Sequence, residues 1–126
     1  MHILNFSHPL TSAQVDAISA QVGQSVTSLR DVKTQFDVNA PFQEQVIALL
    51  EGLDISSTDW QSQAWLILLP SLNYAAAVML AELHGRMGHF PTIARLRPKV
   101  GALVTEFELA EVINLEGVRQ IARTRR

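Results

Sequence analysis

Ala64-Trp65-Leu66-Ile67-Leu68-Leu69 runs for six residues without a polar side chain and stops at Pro70. Six residues is strand length, far short of the roughly 20 that a membrane-spanning helix requires. An apolar run with no alternation suits a strand covered on both faces. Such strands lie inside parallel sheets with helices on either side, so the run predicts an α/β fold with residues 64–69 at its centre. On its carboxyl side, Pro70-Ser71-Leu72-Asn73 reads as a turn into a helix capped by Asn73, with Tyr74-Ala75-Ala76-Ala77 as the first turn. Val78, Leu80 and Leu83 continue that helix, which ends near the two glycines of His84-Gly85-Arg86-Met87-Gly88.

Upstream the same alternation of strand and helix repeats. His2 to Phe6 is a first strand, followed by the polar loop Ser7-His8-Pro9. Thr11-Ser12-Ala13-Gln14 has capping-box spacing, in which the Thr hydroxyl and the Gln side chain each satisfy an orphan amide. Val15, Ile18 and Val22 form that helix's apolar stripe, and Gly23 is a natural terminator. Ser25 to Val32 predicts a second strand, and Lys33 to Asn39 a polar connection over the sheet's edge. Asn39 with Pro41 marks a helix start ahead of Phe42, Val46, Leu49, Leu50 and Leu53. Asp54 to Gln63 reads as a loop with one helical turn after Ser57. Downstream, Pro91 to Arg97 predicts a fourth strand, Pro98 to Ala102 a turn, and Leu103 to Ile113 a fifth strand, antiparallel or at an edge. Asn114 then caps a last helix through Val118 and Ile121.

The 126 residues allow one domain, residues 1–126, with one core. An apolar fraction of 48% against 17% charged excludes global disorder, and the absence of cysteine removes thiolate chemistry and cysteine-based metal sites. With no spanning or export segment, the expected location is the cytoplasm. The net charge of −2 argues against a general nucleic-acid binder but conceals an asymmetry. Residues 1–85 hold two bases and eight acids, whereas residues 86–126 hold eight bases and four acids. The basic third is either a solvated helix end or a local anion site.

Ligands of open α/β sheets bind beyond the carboxyl ends of the strands, beside helix N-termini that favour anions. That rule collects Asn5, Ser7, His8 and Thr11 from the first strand and loop, Ser71, Asn73 and Tyr74 from the third, and Arg95 and Arg97 from the fourth. These polar and basic groups suit phosphate, and the small Ala75 and Ala76 leave room beside the helix backbone. His8 before Pro9 either caps a turn or contacts a ligand. Arg119, Arg123 and Arg126 line one side of the last helix, where cations complement the dipole's C-terminal end. His84 and His89 lack the i, i+4 spacing of a helical metal pair and are assigned to structural hydrogen bonds. The chain has no G-x-G-x-x-G after its first strand and no Walker A pattern. Asn5-Phe6-Ser7 and Pro70-Ser71 stand where a receiver domain needs acids, and Pro9 with the short chain disfavours flavin.

Two stretches carry a resemblance: Asn5-Phe6-Ser7-His8-Pro9-Leu10-Thr11, and His84-Gly85-Arg86-Met87-Gly88-His89-Phe90-Pro91-Thr92-Ile93-Ala94-Arg95-Leu96-Arg97-Pro98. Through them the chain resembles, over nearly its whole length, the small Rossmann-like ancillary proteins of type III CRISPR systems, the Csx group close to CARF domains and ring nucleases. The resemblance implies a CARF-like, mostly parallel five-stranded sheet flanked by helices. It also implies a ligand, a cyclic oligoadenylate, most often the four-adenosine ring, held by a homodimer or higher homo-oligomer with the ring on the two-fold axis. No cofactor, metal, membrane or long nucleic acid is expected.

Members of that group lower the messenger by cleaving the ring or by sequestering it. Cleavage needs no metal: a ribose 2′-OH attacks the adjacent phosphorus in line and leaves a 2′,3′-cyclic phosphate. In that scheme His8 donates or accepts the proton, Ser7 and Asn5 orient the phosphate, and Arg95 or Arg97 offsets its charge. Ser7 and His8 are thus the catalytic candidates. Arg86 precedes the fourth strand, on the opposite side of a simple Rossmann layout, and is assigned to packing or to the dimer. The alternatives are an interaction subunit of a CRISPR effector and a Rossmann-like binder of another nucleotide.

Overall fold

The computed structural model describes residues 1–126. The elements follow in the order β1 (His2–Asn5), α1 (Ser12–Val22), β2 (Ser28–Asp31), α2 (Phe42–Glu51), α3 (Ser57–Ser62), β3 (Trp65–Leu68), α4 (Asn73–Met87), β4 (Thr92–Pro98), β5 (Phe107–Asn114) and α5 (Leu115–Arg123). They build one five-stranded sheet in the order β2-β1-β3-β4-β5. The first four strands are parallel and β5 is antiparallel to β4. This is a mostly parallel, Rossmann-like α/β domain, with the apolar run at its centre as expected.

The run itself supplies β3, where Trp65, Leu66, Ile67 and Leu68 are all buried. Successive side chains of a strand point to opposite faces, so the two cores divide by parity. Trp65 and Ile67, with Leu4 of β1 and Phe6 just beyond it, pack against Val46 and Leu50 of α2, Trp60 of α3, and Met79, Leu83 and Met87 of α4. Leu66 and Leu68, with Ile3 and Ala94, pack against Ile18 of α1. Each Val, Leu, Ile, Met or Phe among them contributes roughly 1.5–3 kcal/mol on burial. In α4 the buried residues Ala75, Met79, Leu83 and Met87 recur every fourth position, a single stripe facing the sheet.

Helix ends follow their local chemistry in most places. Thr11 and Gln14 form the reciprocal capping box, and Gly23 closes α1 at φ 74°. Asn114 caps α5 by accepting from the Gly117 amide. Asn73, expected to cap α4, is instead its first residue; the cap position is Leu72, and the Asn73 side chain accepts only from the adjacent Tyr74 amide. One position further in, its oxygen makes no bond to the amides two and three residues on, the ones a cap serves. Asn39 likewise lies outside α2, in a turn where its amide donates to Asp37, and Pro41 stands at the cap.

The strand ends differ from the sequence reading. β2 covers four residues rather than eight, because only Ser28–Asp31 pair with β1. β5 begins at Phe107, not Leu103, and residues 99–106 form the bend of a long hairpin. Leu109 and Val112 are three apart, yet both face the α1 side. A bulge permits this: Arg95 pairs with Glu111 and Leu96 with Leu109, so Ala110 is the extra residue. The shift breaks the period of two that a regular strand would show.

Arg86 joins α4 to α2, with its guanidinium 2.8 Å from Glu51 and 3.1 Å from Glu82. Burial, the largest influence, pulls its pKa down, but the hydrogen bonds and charges of Glu51 and Glu82 outweigh it and leave the pKa above its ordinary value. Arg86 therefore serves helix–helix packing. No helix is long and apolar enough to cross a membrane.

Candidate functional site

In the order 2-1-3-4-5 the chain winds from β1 to one side and from β3 to the other, so the loops after β1 and β3 part and leave a crevice between them. A cavity of about 460 Å³ opens there. Its walls are Phe6, Ser7, His8 and Pro9 after β1, Asp31 to Thr34 at and beyond the end of β2, and Ser71 after β3. Its volume lies within the range of small-ligand sites.

The loop after β1 is held from below. Asn5 is 0% exposed and spends its amide inside the fold. Its Nδ2 donates to the His8 carbonyl and to Asp31 Oδ1, each at 2.7 Å, while its Oδ1 accepts from the Ser7 amide. Sheet bonding continues past the strands: the Phe6 amide donates to Leu68, the Val32 amide to Asn5, and Thr34 Oγ1 to the Phe6 carbonyl. Ser7 and His8 are thereby presented to solvent on a pinned backbone. The connection from Lys33, expected over the sheet's edge, instead starts at this end of the sheet, where Thr34 bonds Phe6, and tucks Phe36 against the larger core.

The residues collected from the sequence separate into groups. Ser7, His8 and Ser71 meet at the crevice. Asn5 lies beneath it and orders the loop without reaching the surface. Thr11 is committed to its cap and borders a different hollow, between α1 and the hairpin. Asn73 sits in the first turn of α4, and Tyr74 is 72% exposed outside the crevice lining. Arg95 and Arg97 stand on the hairpin, paired with Glu111 at 2.9 Å and Glu108 at 3.3 Å. Ala75 is fully buried against the sheet, so it opens no path to the helix backbone.

Because Leu66 pairs with Thr92 and Ile67 with Ile93, Leu68 ends level with Ala94. The segment from Arg95 to Pro98 therefore overhangs the carboxyl end of β3 by four residues, about 13 Å at ~3.3 Å each. Beyond it Val100, Leu103 and Val104 are exposed.

Asp31, Lys33 and Thr34 are the site residues that sequence reasoning passed over. The signal was available, since they end a strand beside the first, but only pairing with β1 shows that β2 stops at Asp31. The crevice thus holds one fixed cation, one carboxylate, two serines and one histidine.

His84 packs on Phe90 with ring centroids 4.3 Å apart, and His89 Nδ1 lies 3.0 Å from the Phe90 carbonyl oxygen. No three His, Asp or Glu side chains gather where they could hold a metal ion. The fold and crevice define a small Rossmann-like α/β protein with a polar site at its topological switch point. Comparison with known proteins adds no closer relation: no family model, no curated protein and no solved structure matches the chain.

Proposed function

We propose that the chain binds a cyclic oligoadenylate, the four-adenosine ring first among them, and lowers the free messenger of a type III CRISPR response by metal-independent cleavage or by sequestration. One observation carries the reading. Asn5–Thr11, the first stretch of the resemblance, leaves β1 at the switch point and puts Ser7, His8 and Pro9 into the crevice wall. Ser71 faces them from the loop after β3, and Lys33 adds a positive charge. The cavity suits one nucleotide better than a whole ring, which favours a site shared between two copies. If the ring is cut, the attacking group is its own 2′-OH, and the protein's part is to hold that oxygen in line with phosphorus while His8 moves the proton.

The test is incubation of labelled four-adenosine ring with excess protein in EDTA. A stable complex with intact ring identifies sequestration, linear products with 2′,3′-cyclic phosphate ends identify cleavage, and the absence of both binding and products overturns the proposal. A second reading, an interaction subunit of a CRISPR effector, draws on the exposed apolar residues Val100, Leu103 and Val104 at the hairpin tip. It predicts co-purification with the effector and no affinity for the ring.

A further inference from the structure

We infer that Asp31 reads the ribose of the ligand, its free carboxylate oxygen accepting a hydrogen bond from a 2′-hydroxyl, so that the crevice is selective for ribonucleotides over deoxyribonucleotides. The inference rests on the binding proposed above and adds a selectivity that the proposal does not contain. Asp31 is the last residue of β2 and pairs in register with Asn5, the last residue of β1. Its two oxygens have different duties. Oδ1 accepts from Asn5 Nδ2 at 2.7 Å and lies 3.4 Å from the Leu10 amide, which ties β2 to the loop carrying Ser7 and His8. Oδ2 has no partner in the chain, although the residue lines the crevice.

A carboxylate at that place works against a bare phosphate. The crevice offers Lys33 as its fixed cation, and Asp31 two residues earlier cancels that charge. A ligand that brings only anionic oxygens would face a repelling acceptor. One that carries a hydroxyl beside its phosphate uses both groups, the hydroxyl donating to Asp31 and the phosphate lying toward Lys33, Ser7 and Ser71. Asp31, closing β2, has the reach for this, since it lines the crevice together with Ser7, His8 and Lys33. In a 3′,5′-linked ring the 2′-OH is the hydroxyl left free on each ribose.

The experiment compares equilibrium binding of the cyclic tetra-adenylate ring and its all-2′-deoxy counterpart, read before any product accumulates, to the wild-type protein and to Asp31→Asn. The substitution keeps the Oδ1 acceptor for Asn5 and Leu10 and exchanges Oδ2 for a donor. The wild type should prefer the ribose ring by about tenfold, the lower end for a charge-assisted hydrogen bond because the site is open to water. Asp31→Asn should lose that preference, through weaker binding of the ribose ring and unchanged or tighter binding of the deoxy ring. Equal wild-type affinity for the two rings overturns the inference and leaves the binding proposal standing, as does a preference that survives in a folded Asp31→Asn. Should the variant fail to fold, the wild-type comparison decides alone. If the wild type binds neither ring, both the inference and the proposal on which it rests are overturned.

Discussion

The β1/β3 centre and the β4–β5 hairpin belong to one sheet, yet they are held by different forces. At the centre, strands of four residues are buried on both faces, and the side chains that matter are apolar. On the overhang, the strands are held by backbone pairing, by the Arg95–Glu111 and Arg97–Glu108 ion pairs, and on one face by Leu96 and Leu109 packed toward α1 and the Gln14 bond to the Phe107 carbonyl, with exposed apolar residues at the tip. Exposed ion pairs of this kind are worth ~0–1 kcal/mol each. The centre therefore carries more of the stability, and the exposed tip of the hairpin is free to serve contacts outside the domain. The crevice lies where the rigid centre ends, which is why its loop can be exposed and still hold one shape.

Ile67→Ala should break the comparison most severely. It removes a fully buried side chain from the middle of β3 and should cost ~2–5 kcal/mol in denaturant unfolding. A loss under 1 kcal/mol would mean that β3 is not the centre of the core. Asn5→Ala comes next, at ~1–3 kcal/mol, because it takes the Asn5 side-chain partner from the Ser7 amide and the His8 carbonyl and cuts the tie to Asp31. Amide exchange should rise across residues 7–10 and remain low in β3; uniform exchange would detach the crevice loop from Asn5.

At the far end of α4, Glu116 accepts from the Phe90 amide at 2.9 Å, and this bond, with smaller help from Gln120 and Arg119, holds its carboxyl below the ordinary 4.5 despite some desolvation. A depressed carboxylate stabilises the fold above its unfolded value and ceases to do so as pH falls through the folded one. The α5 attachment should therefore hold above pH 4.5 and weaken in more acidic solution. Phe90 amide exchange, corrected for intrinsic rates, should accelerate over that range in the wild type and show no such step in Glu116→Gln. The smallest effect belongs to Leu103→Ser at the tip, within about 0.5 kcal/mol of the wild type in unfolding. A larger loss, appearing only at high protein concentration, would show the tip to be covered in an assembly.

Legibility followed the same division. Periodicity and the unbroken run at 64–69 announce the core because burial on two faces leaves no place for polar residues. Capping boxes and glycine terminators are local, so Thr11, Gln14, Gly23 and Asn114 were readable in place. Asn73 misled because one residue of shift separates a cap from a first turn. The start of β5 misled because Leu103 and Val104 look like strand residues, while the β4–β5 pairing reaches only to Phe107. Of the site, Ser7, His8 and Ser71 were found by the rule that loops follow strand ends, and Asp31, Lys33 and Thr34 were missed because the length of β2 depends on its neighbour.

By itself the sequence determined the α/β class, the central strand, most helix starts and the loop that carries the crevice's hydroxyls, all consequences of burial pattern and short-range hydrogen bonding. Only the tertiary structure decided that Arg95 and Arg97 are spent on Glu111 and Glu108, that Asn5 lies under the site rather than in it, and that Asp31 stands beside His8. Each of those depends on register between strands distant in the chain, and no local pattern encodes register until the strands are paired.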